Sequence, residues 1–175
     1  VPTVKRYDSL TVTLHWLVAV LVIGQWIGAQ LIDEFPKGAP RVDARSIHIV
    51  GGVLVGLLLL VRIVWRATSG RRLPASDQGL LHAAAKLTHW GLYVLIAAMV
   101  AVGLALAWAR GDSLFNLVTI PSFAPGDKAF RDQIQDIHAT IGYLILGLAG
   151  LHAAAALVHH FIWKDGLIRR MSWNG

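Results

Sequence analysis

Four stretches of this chain, residues 10–32, 47–65, 87–109 and 137–163, are almost wholly apolar. Each is long enough for a helix to cross a bilayer core, which takes about 20 residues. Of the 175 residues, 55% are hydrophobic and only 15% charged, and the mean hydropathy is +0.58. A soluble domain with that balance would not stay in solution. The expectation is an all-α integral membrane protein, an up-down-up-down four-helix bundle with residues 1–175 forming one domain. Lys5 and Arg6 precede the first stretch as they would in a signal peptide. That stretch is long, lacks a small-residue cleavage site and carries His15 and Gln25, so it reads as a retained first span.

The net charge of +6 and a pI near 10.2 are unevenly distributed. The N-terminal tail (Lys5, Arg6, Asp8) is +1 and the second connection (Arg62, Arg66, Arg71, Arg72, Asp77, Lys86) is +4. The C-terminal tail (Lys164, Asp165, Arg169, Arg170) is +2. The first connection (Asp33, Glu34, Lys37, Arg41, Asp43, Arg45) is neutral, and the third (Arg110, Asp112, Asp127, Lys128, Arg131, Asp132, Asp136) is −1. Positive charge therefore alternates with the side of the membrane, and the positive-inside rule places both termini in the cytoplasm. The basic balance reflects topology and gives no ground for nucleic-acid binding.

Turn residues divide the spans: 35–40 after the first, 68–74 after the second, and 121–126 between the third and fourth. Residues 71–78 read as a loop. Residues 127–136 are too polar to cross a membrane, but Phe130, Ile134 and Ile137 recur at helical spacing and predict a helical lead-in to the fourth span. Gly24 with Gly28 and Gly52 with Gly56 form G-x-x-x-G pairs, and Gly142, Gly147 and Gly150 thin the fourth span. Ordinary helix packing is the simpler explanation, and a flat macrocycle against a helix the other. Trp16, Trp65, Trp90, Trp108 and Trp163 sit near span ends, where an interfacial belt is expected.

The histidines point to the chemistry. His138 and His152 are fourteen residues apart in one span, which returns a helix to nearly the same face about 21 Å further along. His15 and His48 lie in two other spans. Polar groups inside membrane helices are costly and usually face a partner in the bundle. A lone buried histidine is more often a hydrogen-bonded core residue than a ligand, but four at two matched depths make an outer pair, His48 with His138, and an inner pair. For the inner pair, His15 matches His152 if the first helix starts near Lys5, and His159 if it starts at Leu10. His82, His159 and His160 read as interfacial hydrogen-bonding residues. His89 is a candidate contact for a propionate or a quinone.

No grouping brings three or four metal ligands to one level as zinc requires. Two axial imidazoles per level suit a porphyrin, and a six-coordinate iron has no open position, so it passes electrons. The chain has no cysteine, which excludes disulfides, iron–sulfur clusters and covalently attached haem. The expected cofactors are two non-covalent, bis-histidine haems.

His15-Trp16, His138, Arg110-Gly111 and above all residues 152–165, HAAAALVHHFIWKD, resemble the bacterial cytochrome b561 family of small four-span di-haem proteins. The resemblance covers essentially the whole chain. It implies two haems b with ligands at His15, His48, His138 and His152, electron exchange with ubiquinone, and residence in the bacterial inner membrane. It also implies oxidation of superoxide to dioxygen on the periplasmic side. Lys37, Arg41, Arg45, Arg110 and Arg131 can attract such an anion there, although acidic residues are interspersed with them. Arg62, Trp163 and Lys164, with His89 and His159, are secondary candidates for holding propionates or a quinone head group. The expected partners are the lipid bilayer, ubiquinone and superoxide, with no obligate protein partner. A haem-bearing anchor subunit of a larger dehydrogenase or hydrogenase is the competing reading, and a proton-relaying transporter without haem a third.

Overall fold

The computed structural model describes residues 6–173, so Lys5, counted above in the N-terminal charge, lies outside the described residues. Four long helices follow one another: α1 (Ser9–Leu31), α2 (Ala39–Thr68), α3 (Gly79–Arg110) and α4 (Lys128–Val158). A π-helical turn, His159–Trp163, continues α4. All four are long and apolar enough to span a membrane, with mean hydropathies of 1.8, 2.5, 2.4 and 2.0 in chain order. Their outer faces carry exposed Ile47, Leu60, Leu87 and Leu144, as expected of surface that meets lipid.

The helices overrun the apolar stretches. α2 begins at Ala39 rather than 47, α3 at Gly79 rather than 87, and α4 at Lys128 rather than 137. Hydropathy marks only the part of a helix that meets hydrocarbon, whereas backbone hydrogen bonding runs on to a cap or a breaker. Pro40 in the first turn of α2, after Gly38 at φ 100°, supplies such a boundary. Gly111, left-handed at φ 68°, ends α3. Asp127 caps α4 by accepting from Phe130 N at 3.0 Å, so the predicted lead-in is the first turns of α4 itself. Arg62 and Arg66, counted above in the second connection, lie within α2.

Each helix packs on the next in sequence, while α1 and α4 make little close backbone approach to each other. Midway along the bundle, Val18 of α1, Val55 and Leu59 of α2, Ile96 of α3 and Ile145 of α4 form the buried core. Ile145 is seven residues from both His138 and His152, so this apolar layer separates the two histidine levels.

Both termini and the α2–α3 connection meet at one end, here the terminal end. Tyr7 N donates to Arg170 O at 3.1 Å, and Arg170 Nη1 to Pro74 O at 2.9 Å. Asp8 is the hub: its carboxylate accepts from Thr11 N (2.8 Å), Thr11 Oγ1 (2.7 Å), Trp65 Nε1 (2.9 Å) and Arg71 N (2.9 Å). The Trp65 indole is thereby held against the start of α1.

At the far end a short antiparallel hairpin, β1 (Ser113–Leu114) and β2 (Val118–Thr119), fills a connection in which no strand was expected. Phe115 and Asn116, at φ 52° and 56°, make the tight turn, and Leu117 N donates to Leu114 O at 2.9 Å. Ser46, fully buried, fastens the hairpin to α2: its Oγ accepts from Phe115 N at 2.8 Å and lies 3.2 Å from Ser113 O.

Burial raises the Asp8 pKa, but the four donated hydrogen bonds outweigh it and hold the carboxyl well below its ordinary 3.8. A depressed folded-state pKa contributes stability above the ordinary carboxyl range, and that contribution is lost as pH falls through it. Asp8→Ala should therefore destabilise the protein by about 2 kcal/mol at neutral pH, seen as a lower Tm in detergent. The gap between the two proteins should narrow as the pH is lowered below about 4.

Candidate functional site

The helices bring the sequence-predicted histidines together at two levels. At the far level His48 of α2 faces His138 of α4, with ring centroids 6.2 Å apart and planes at 81°. At the terminal level His15 of α1 faces His152 of α4, also at 6.2 Å, with planes at 75°. Two imidazoles sharing one metal, with bonds of about 2 Å and ring centres about 1.1 Å behind each nitrogen, have centroids roughly 6 Å apart. Both pairs fit that spacing. A directly packed pair sits closer: His89 of α3 lies 5.2 Å from His152.

Neighbouring groups bear on which ring nitrogen can act. The Gln25 amide lies 2.8 Å from His48 Nδ1. Its nitrogen can donate to a bare Nδ1, or its oxygen can accept from a protonated one, and only the second leaves Nε2 bare for a metal. His138 Nδ1 is buried without a hydrogen-bond partner, the Met99 main chain lying beside the ring but outside bonding geometry. At the terminal level Arg62 Nη1 is 2.9 Å from His15 Nδ1, and Arg62 Nε donates to the Tyr93 hydroxyl at 3.0 Å. A guanidinium only donates, so Nδ1 accepts in this arrangement. Binding a metal through His15 Nε2 moves the ring proton to Nδ1 and redirects that Arg62 donor.

An internal cavity lies between the helices at this level, lined by His15, Arg62, His89, Tyr93, Ile145 and His152 among others. It fills the space that the separation of α1 from α4 leaves. Among the described residues no group of three histidine, cysteine or carboxylate side chains could hold a bare metal ion. Each level offers one facing imidazole pair, with His89 a third ring at the terminal level, and such a pair fits iron whose remaining ligands come from a macrocycle.

The depth argument that offered His159 to His15 is corrected by the structure. α1 starts at Ser9, close to the case that favoured His159, yet the ring facing His15 is that of His152. The π-helical turn takes up five residues at the end of α4, so counting back from Trp163 misjudges depth. His159 instead is buried between carboxylates, Nδ1 on Asp165 Oδ2 and Nε2 3.6 Å from Asp77 Oδ1. Burial opposes ionisation of Asp165, but its hydrogen bonds, first that from His159, hold its pKa low. Trp163 packs edge-on against His159 at 4.4 Å, Lys164 is exposed beyond it, and His160 lies on Phe161 at 4.7 Å. His82 is exposed near the start of α3.

The proposed anion-attracting residues at the far end divide. Arg41 bonds the carbonyls of Asp33 (2.7 Å) and Phe35 (2.8 Å) and so closes the end of α1. Arg45 pairs with buried Asp112 at 3.1 Å. Arg110, hydrogen-bonded to Gln135, has Arg45, Arg131, Asp112 and Asp33 as charged neighbours and is itself the charged neighbour of His138. Lys37 is exposed on the first connection.

The glycines divide. A Cβ at Gly24, Gly28, Gly52, Gly147 or Gly150 would meet nothing within 4 Å, so these do not mediate helix contact. The tightest positions are Gly103, where a Cβ would come 2.9 Å from His138 Cε1, Gly51, where it would collide with the Gln25 amide, and Gly91 against Leu148, while Gly56 against Val100 (3.0 Å) and Gly142 against Met99 (3.2 Å) make the ordinary helix contact expected of them. Two of the three sit against the far histidine pair or its amide neighbour. Tyr93 and Gln25 could have been suspected as polar groups in apolar spans, one turn from His89 and one turn from Leu21 of the core rim respectively.

A family model described as prokaryotic cytochrome b561 matches residues 6–174. The chain is 30% identical to "Probable superoxide oxidase CybB" of Yersinia pestis, over 95% of this chain and 96% of that one. It is 28% identical to "Cytochrome b561 homolog 2" of Escherichia coli K12, over 97% and 92%. It is 30% identical to "Cytochrome b562" of Cereibacter sphaeroides, over 94% of each.

Gly103→Ala should push the His138 ring out of line with His48. The variant is expected to fold, with far-ultraviolet circular dichroism unchanged, and to bind less haem per chain than the unsubstituted protein on reconstitution.

Proposed function

Because the chain belongs to the prokaryotic cytochrome b561 family, whose members are haem b electron carriers of the bacterial inner membrane, we propose that it holds two haems b and passes electrons from superoxide to ubiquinone. His15 and His152 hold the haem at the terminal level, and His48 and His138 the haem at the far level. The observation that carries this is the recurrence of one imidazole spacing, 6.2 Å, at both depths. Bound there, the haems supply reversible one-electron chemistry with no open coordination position. Residues 1–175 act as one membrane domain, with the terminal end in the cytoplasm by the charge distribution.

The chain's own residues select and guide. Superoxide is a small anion, and Arg45, Arg110 and Arg131 concentrate positive charge near the far pair, although Asp112 and Asp33 temper it. Superoxide oxidation is supported by the name of the Yersinia pestis relative. Two superoxide anions each lose one electron and leave as dioxygen, and one quinone takes both electrons with two protons to become quinol. The apolar layer of Val18, Val55, Leu59, Ile96 and Ile145 keeps water and small ions from passing between the levels.

His48→Ala or His138→Ala should remove the far haem and leave the spectrum of the other, and His152→Ala should do the reverse, read by pyridine haemochrome. Retention of both haems in His152→Ala would move the terminal-level ligand to another histidine. In stopped-flow, the purified protein should be reduced by superoxide and should reoxidise when ubiquinone is added. No reduction by superoxide, in protein carrying both haems, would point instead to a docking subunit fed by a partner.

A further inference from the structure

The two histidine levels differ in their charge surroundings. At the terminal level Arg62 is the charged neighbour shared by His15, His89 and His152. Its Nη1 is 2.9 Å from His15 Nδ1, its Nε is fixed on the Tyr93 hydroxyl, and its guanidinium sits 5.5 Å from the centre of the Tyr93 ring. Among the described residues no carboxylate lies within ion-pairing distance of it. Arg66, one turn on, is likewise without a carboxylate partner and rests on the Tyr7 ring at 5.0 Å.

The far level is closer to neutral. His48 is met by the uncharged Gln25 amide, and around Arg110, the charged neighbour of His138, the two cations Arg45 and Arg131 are offset by the two acids Asp112 and Asp33. A fixed positive charge beside a redox centre in a medium of low dielectric favours the state with one more electron.

We propose that Arg62, anchored by Tyr93, makes the terminal level the electron sink of the pair, so that an electron entering at the far level runs downhill to the end where the termini lie. The step moves one electron: the far site is oxidised by one, the terminal site is reduced by one, and no bond forms or breaks. Arg62 acts here as a positioning charge, held beside His15 by Tyr93 and away from the reacting atoms. This inference rests on the two-haem reading. It also gives the basic residues of α2 a second use, since the same excess of positive charge that marks this end of the bundle draws the electron toward it.

The test is a potentiometric titration, followed by visible absorbance, of the full chain in detergent. It is read in His138→Ala, which leaves the terminal haem alone, and in His152→Ala, which leaves the far one. Adding Arg62→Gln should shift the terminal haem's reduced-to-oxidised ratio at a fixed potential at least tenfold toward oxidised, 59 mV for a one-electron couple. The far haem should stay within a twofold change, and Arg62→Lys should restore most of the terminal value. An unmoved terminal midpoint, or an equal shift at both levels, overturns the assignment. Should Arg62→Gln load no haem at the terminal level, Arg66→Gln is read in its place and should lower the same midpoint by less, with no shift overturning the inference. One haem per unsubstituted chain would instead contradict the two-haem reading itself.

Discussion

An imidazole inside a membrane helix is tolerated only where it finds a partner, because hydrocarbon supplies none. Four of them in this bundle are placed so that each faces another across a helix gap, at one spacing and two depths. α4 contributes to both levels, carrying His138 near the far end and His152 near the terminal end, while α2 supplies the partner at one level and α1 at the other. The arrangement of the helices follows from this. α1 stays apart from α4 where the cavity lies, and the helices close on one another in the apolar layer around Ile145, between the two pairs.

The two ends of the bundle are fastened by different chemistry, and the difference bears on function. At the terminal end one carboxylate, Asp8, ties the start of α1 to Trp65 and to Arg71, and His159 ties the end of α4 to Asp165 beside Asp77. With the acids engaged in those contacts, Arg62 and Arg66 are left without carboxylate partners. At the far end the pairing is reversed: Asp33 and Asp112 are joined to Arg41 and Arg45, and the buried Ser46 hydroxyl holds the hairpin against α2, two residues before His48. The charge asymmetry between the two levels is thus a by-product of how each end is closed.

Much of this was legible in the residues. Four apolar stretches specify four helices, since length and hydropathy suffice for that inference, and His48 faces His138 as their depths suggest, while the partner of His15 was left open between His152 and His159. The lead-in at 127–136 was readable from Phe130, Ile134 and Ile137. Less was legible where the outcome depends on three-dimensional closure. The hairpin at 113–119 is too short for a periodic signal, and its turn uses Phe115 in a left-handed conformation that its side chain does not advertise. The start of the first span is blurred in sequence, which left His159 a competitor to His152, and the π-helical turn at 159–163 looks there like more α-helix, so depth counted back from Trp163 could not decide between them. The contacts of Gly51, Gly91 and Gly103 depend on which face each helix turns inward, whereas of the G-x-x-x-G pairs that stood out by pattern only Gly56 meets a neighbour, Val100, and Gly24, Gly28 and Gly52 face open space. Arg62 is the sharpest case: charge counting assigned it to topology and its place at a span end offered it to a propionate or a quinone, and only the fold brings it against His15 and Tyr93.

The central claim is that each of two imidazole pairs grips one iron from both sides. Low-temperature electron paramagnetic resonance of the oxidised protein, with its haem content measured in the same sample, tests it most directly. Two low-spin ferric centres per chain are predicted, both of the bis-imidazole kind. A single centre per chain, or a high-spin signal from iron with an open axial position, would contradict it.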